Sequence, residues 1–322
     1  MEKRKRVSAL AAAAGLLALI LDSRTALAGA AQGLALCLKT IIPSLFPFIF
    51  LSGVFSHACS RTGRAVRLLG KPFGIPPGMT SVLVPALLGG YPVGAQCISE
   101  AYRSGQVDKD RAERMLAFCS NAGPAFIFGI LPAAFPGKKT VWLLWAIQLF
   151  GIWAASFVFS CPEPSSEGSG PAAAPFGMEQ AIGAILKICG WVILFRVLIG
   201  FLCRWILWAA SPELQVALIG LLELSNGCCM LERIPSPELR FLVCSILLSF
   251  GGLCVAYQTA SVCPGLGIQF YLRGKLLQAV TTGIVSAAVC YRLWLLPVLW
   301  LAVLFGLKKA EKRSRIFTPV GV

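Results

Sequence analysis

The stretch Leu87-Leu88-Gly89-Gly90-Tyr91-Pro92-Val93-Gly94-Ala95-Gln96 puts helix breakers where hydropathy predicts the middle of a membrane helix. Glycine is unfavourable in a helix interior, and proline removes a helix hydrogen bond. Hydrocarbon holds no water to satisfy the amides that such a break frees. Irregular backbone survives at that depth only where protein buries it or where it lines a water-filled cavity. The stretch therefore predicts a site rather than a plain span.

The membrane setting follows from composition. The chain of 322 residues is 57% hydrophobic and 13% charged. Crossing a bilayer takes about 20 residues of helix. Apolar runs near that length are Val7–Leu21, Ile41–Ala58, Val141–Ser160, Trp191–Ala210, Phe241–Val262 and Leu293–Leu307. None shows the polar face that a soluble helix needs. An all-α polytopic membrane protein is expected, with about eight to ten membrane segments once re-entrant hairpins are counted.

Net charge is +15, from 29 Lys and Arg against 14 Asp and Glu. The basic residues cluster beside apolar runs: in MEKRKR at the start, in Lys308–Arg315, and at Arg61, Arg64, Arg67 and Lys71. That placement matches the positive-inside rule and contact with anionic lipid, not nucleic-acid binding. Both termini are expected on the cytoplasmic side. Residues 1–30 read as a signal-anchor helix rather than a cleaved signal, because Asp22, Ser23 and Arg24 sit poorly beside an Ala26-x-Ala28 cleavage site.

Thirteen cysteines include singletons inside apolar runs (Cys37, Cys119, Cys189, Cys203, Cys244, Cys254) and no C-x-x-C. With His57 the one histidine, no zinc set is expected. Cysteine here reads as a small apolar packing residue. No Ser/His/Asp constellation or phosphate-cradling loop is present, so no enzyme activity and no bound cofactor are expected.

The segment Cys161–Gly177 is rich in Pro, Gly and Ser and reads as a linker. It separates a first half, 31–160, from a second, 178–307; a basic tail, 308–322, follows. Each half carries two polar, glycine-bearing breaks. The first pair is Gly89–Gly94 and Ser120–Pro124, joined through a charged amphipathic helix, Asp108–Phe118, expected to lie solvated on the cytoplasmic surface. The second pair is Glu223–Gly227 and Gly251–Gly252 with Gln258. Gly90 precedes Asn121 by 31 residues and Glu223 precedes Gly252 by 29. Paired broken segments point to the central site of a secondary transporter. The candidate solute-binding residues are Gly89, Gly90, Tyr91, Pro92, Gly94, Ser120, Asn121, Gly123, Pro124, Glu223, Ser225, Asn226, Gly227, Gly251, Gly252 and Gln258. Half-helix N-termini would aim amides at an anion. Glu223, an acid in an apolar run, is a functional candidate by default. It suits a coupling proton or sodium ion, or a structural pair with Arg196 or Arg204.

PSLFPFIFLSGVF (43–55), GGYPVGAQCISE (89–100), AERMLAFCSNAGPAFIFG (112–129), LLELSNGC (221–228) and SFGGLCVAYQ (249–258) resemble the YlbJ-type sporulation integral membrane proteins. These belong with the nucleoside-recognition or Gate domain proteins. The resemblance runs from about Ala31 to Ile284; family members often carry Ser where this chain has Gly89. It implies inverted repeats with re-entrant hairpins, as in concentrative nucleoside transporters. It also implies a bacterial cell-membrane protein that moves dipicolinate, a small aromatic dicarboxylate, across the outer forespore membrane. By analogy with related folds it implies a homo-oligomer. A nucleoside or nucleobase solute, or a non-transporting scaffold for spore-envelope assembly, are the alternatives.

Overall fold

The computed structural model describes residues 2–59, 70–75, 80–160 and 177–317. The basic group Arg61, Arg64 and Arg67 and all of the expected linker except Gly177 lie outside the described residues. Among the described residues every regular element is helical.

Helices α1 (Glu2–Leu21) and α2 (Ser23–Leu36) meet at Asp22, whose carboxylate caps α2 by accepting from the Thr25 amide at 3.3 Å. The chain does not break near residue 30. Helix α2 passes through a π-turn, Cys37–Ile41, into α3 (Ile42–Cys59). Pro43 accounts for the π-turn: it has no N–H, and its ring crowds the carbonyl four residues back, so the turn widens. Ser23–Leu51 thereby becomes one apolar helical stretch of 29 residues.

Four shorter helices follow: α4 (Thr80–Leu88), α5 (Val93–Arg103), α6 (Lys109–Leu116) and α7 (Pro124–Ala134). A long helix, α8 (Lys138–Phe159), closes the first half. The second half opens with a long helix, α9 (Met178–Trp205), then α10 (Pro212–Leu222) and α11 (Leu224–Cys229). After these come α12 (Pro237–Phe250), α13 (Gly252–Val262), α14 (Gln269–Tyr291) and α15 (Leu295–Phe317).

Among the described residues, four stretches are long and apolar enough to cross a membrane: Ser23–Leu51, Lys138–Phe159, Met178–Trp205 and Pro237–Val262. The last is interrupted at Gly251, between α12 and α13. Polarity runs from inside to outside. Lys275, Asn121, Gln278 and Glu223 are buried, while Leu186, Ile206, Val298 and Phe305 are exposed. Exposed Trp205, Trp208, Tyr291 and Trp294 sit at helix ends, where aromatic side chains mark the membrane–water interface. This is an all-α integral membrane protein.

Small residues let the long helices approach. Helix α2 lies along α9, and a β-carbon on Gly29 or Gly33 would stand 3.0 Å from the Val197 Cα or 2.9 Å from the Ile193 Cα. That is small-xxx-small packing, which replaces the hydrophobic driving force missing in lipid. Helix α14 is flanked by α8 and α12 and forms the centre of the bundle.

The expected solvated helix is more embedded than its composition suggests. Asp108 caps α6 by accepting from the Arg111 amide at 2.9 Å. Yet Ala112, Met115, Leu116 and Arg114 are buried. Arg114 bonds Asp110 (2.7 Å) and Glu311 of α15 (2.5 Å), and its guanidinium lies over the Phe270 ring. The apolar face of α6 packs on α14, so only its acidic and Lys109 side meets solvent.

Candidate functional site

All four predicted breaks separate helices. The first, Gly89–Pro92, lies between α4 and α5, with a cis Tyr91–Pro92 bond and Pro92 as the N-cap of α5. The second, Ala117–Gly123, lies between α6 and α7, with Pro124 as the first residue of α7. Glu223 alone separates α10 from α11, and Gly251 separates α12 from α13.

The breaks touch in a ring. A β-carbon on Gly123 would lie 2.8 Å from the Gly90 nitrogen, and one on Gly252 would lie 3.3 Å from the Leu224 nitrogen. One on Gly251 would lie 2.7 Å from the Tyr91 hydroxyl. The ring closes across a cavity of about 30 Å³, between Ala122, Gly123 and Phe126 on one side and Glu223, Leu224 and Ser225 on the other. Gly90, Tyr91 and Gln258 complete its polar and aromatic lining; Ile41, Leu45, Ile188, Val192 and Val255 supply the rest. At about 10–15 Å³ per water, the cavity holds about two.

Side-chain amides satisfy three carbonyls of the second break. Ala117 O accepts from Gln278 Nε2 at 2.8 Å, and Phe118 O from Asn121 Nδ2 at 2.6 Å. Ala122 O accepts from Gln148 Nε2 at 3.2 Å. An orphaned carbonyl at this depth would be costly, so these amides are what permit the break. Gly94 and Gly274 let α5 and α14 come against it: a β-carbon on either would overlap Cys119 O or Ala117 O. Gly94 is thus a packing residue. So is Gly227, whose β-carbon would meet Gly220 Cα at 2.3 Å.

At the third break the Glu223 carboxylate caps α11. Its oxygens accept from the amides of Ser225 (3.0 Å) and Asn226 (2.7 Å) and from Asn226 Nδ2 (2.6 Å). The amides offered by this half-helix are therefore engaged within the chain. Arg196 and Arg204 are elsewhere, bonded to Gln32 of α2 and to Asp22 and Thr25 at its start. Ser120 is fully buried in the second break, its hydroxyl without a partner among the described residues. Gln258 reaches the cavity from α13, donating to Cys254 Sγ at 3.3 Å.

One central residue escaped the sequence reading. Lys275 of α14 is fully buried, and its Nζ lies 2.8 Å from Asn121 Oδ1, 3.1 Å from Gln278 Oε1 and 3.2 Å from Tyr91 Oη. Tyr91 Oη in turn lies 3.3 Å from Leu248 O, just ahead of the fourth break. Lys275 thus ties the first two breaks to the central helix and, through Tyr91, reaches the last turn of α12. The signal was present in sequence: Tyr271, Lys275, Gln278 and Thr282 fall at spacings of four, three and four, one polar stripe on an apolar helix.

No family model, characterised protein or solved structure matches the chain.

Proposed function

We propose that the protein is a secondary transporter of a small organic anion, and that dipicolinate crossing the outer forespore membrane is the transport step. The observation that carries this reading is the ring of four touching helix breaks, two from each half, three of which line one cavity, with Lys275 Nζ bonded to the first two. A plain scaffold has no need to gather irregular backbone at one point in the membrane interior. The halves 31–160 and 178–307 are read as inverted repeats of the concentrative nucleoside transporter kind. The Gly90–Gly123 approach in one half has its counterpart in the Leu224–Gly252 approach in the other. Tyr91 and Phe126 line the cavity and suit an aromatic solute. Glu223 lines it too, its carboxylate engaged by the amides of Ser225 and Asn226. Lys275 Nζ lies 3.2 Å from the Tyr91 hydroxyl and favours a carboxylate over a neutral nucleoside. A cavity for about two waters is too small for dipicolinate, so solute enters when the breaks part.

The test is genetic and chemical. The gene is deleted in a sporulating host, and dipicolinate is measured separately in mother-cell cytoplasm and in released spores. Normal synthesis with dipicolinate stranded in the mother cell supports the reading. Normally loaded spores would remove the dipicolinate assignment.

A further inference from the structure

We infer that Tyr91, Asn121 and Gln278 form a seat for a monovalent cation, and that the Lys275 ammonium fills it as a tethered counter-ion for an anionic solute. The counter-ion role rests on the transport reading above; the seat itself does not.

The hydrogen bonds define the seat. Each of its three residues has its own donor engaged by a backbone carbonyl: Tyr91 Oη by Leu248 O, Asn121 Nδ2 by Phe118 O, Gln278 Nε2 by Ala117 O. A carbonyl can only accept, so both amide orientations are fixed and three oxygens face Lys275 Nζ as acceptors. A neutral amine has two N–H donors and would present its lone pair to the third oxygen. An ammonium has three donors for three acceptors. The rings of Tyr91 and Tyr271, with centroids 5.0 and 5.9 Å from Nζ, add the cation–π attraction of a cation site.

The charge has no acid beside it. The titratable groups facing Nζ are the Tyr91 and Tyr271 phenols and the Cys119 thiol. Among the described residues no carboxylate pairs with Lys275. A buried, unpaired ammonium is expensive for a fold to keep. Here it bonds Tyr91, which lines the cavity, so its field reaches an entering carboxylate with little water to screen it. An inorganic cation finds the three oxygens already taken.

Lys275→Ala vacates the seat and leaves a channel the shape of propylammonium. Purified wild type, Lys275→Ala and Lys275→Met are melted in detergent with propylammonium, sodium or the bulky tetramethylammonium at constant ionic strength. Lys275→Ala should melt below wild type and regain several degrees with propylammonium but not with tetramethylammonium. Wild type and Lys275→Met, whose chain fills the channel, should not respond. If Lys275→Ala does not accumulate in membranes, propylammonium in the growth medium should restore its abundance. No response of Lys275→Ala to propylammonium in either format overturns the seat, as does an equal response of wild type. Dipicolinate flux in Lys275→Met equal to that of wild type overturns the counter-ion role. Absence of any wild-type flux overturns the transport reading while leaving the amine result to decide the seat.

Discussion

Gly251 lies against Tyr91 so closely that a β-carbon at Gly251 would stand 2.7 Å from the Tyr91 hydroxyl. This contact joins the first break to the fourth, across the two halves of the chain. The same hydroxyl bonds Leu248 O and receives a bond from Lys275, so one glycine positions the residue that walls the cavity.

Gly251→Ala should therefore be severe. Gly251 has φ +82°, a conformation that costs a residue with a β-carbon about 1–2 kcal/mol. Displacing Tyr91 adds an overpacking cost of about 1–3 kcal/mol. A lowered melting midpoint and lost flux are expected. Gly190→Ala, with nothing within 4 Å of the new β-carbon, should melt at or above wild type.

Glu223→Gln separates a capping role from a coupling role. The glutamine keeps one acceptor but turns an NH₂ toward donors at Ser225 or Asn226. Loss of a buried cap should lower stability by about 1–3 kcal/mol, seen as a lower midpoint. The flux that survives, per folded molecule, should keep the pH and sodium dependence of wild type. A changed dependence at normal stability would instead make Glu223 the coupling residue.

Arg114 hooks the last helix onto the helix that leads into the second break. Arg114→Ala removes bonds to Asp110 and Glu311 and the stack on Phe270, and should destabilise by about 2–4 kcal/mol. Glu311→Gln keeps an acceptor for Arg114 and should lose about 1 kcal/mol or less. Limited proteolysis of α15 should be faster in the first variant than in the second.

Gly33→Leu drives a side chain into the Ile193 backbone, 2.9 Å from the position of a β-carbon, and should prevent α2 from docking on α9. Gly15→Leu, with open space around it, should leave abundance in membranes unchanged.

The breaks were legible in sequence because hydrocarbon makes them anomalous: Gly89-Gly90, Asn121 with Gly123 and Pro124, Glu223, and Gly251-Gly252 each stand out from apolar neighbours. Their convergence was only implied by paired spacing, since contacts such as Tyr91 with Gly251 join residues far apart in sequence. Lys275 was passed over because a single basic residue near Arg273 reads as a topology signal. Its meaning depends on Asn121 and Tyr91, which only the fold brings near. The joining of α2 to α3 was hidden for a local reason: Pro43 looks like a helix start, and the π-turn that absorbs it has no sequence signature of its own.

The most direct test of the central claim is uptake of labelled dipicolinate into proteoliposomes holding equal amounts of wild type or Asn121→Leu. The account predicts saturable wild-type uptake that unlabelled dipicolinate suppresses and uridine does not, with most of it lost in Asn121→Leu. No saturable uptake by wild type, or equal uptake by Asn121→Leu, would contradict a solute site at the meeting of the four breaks.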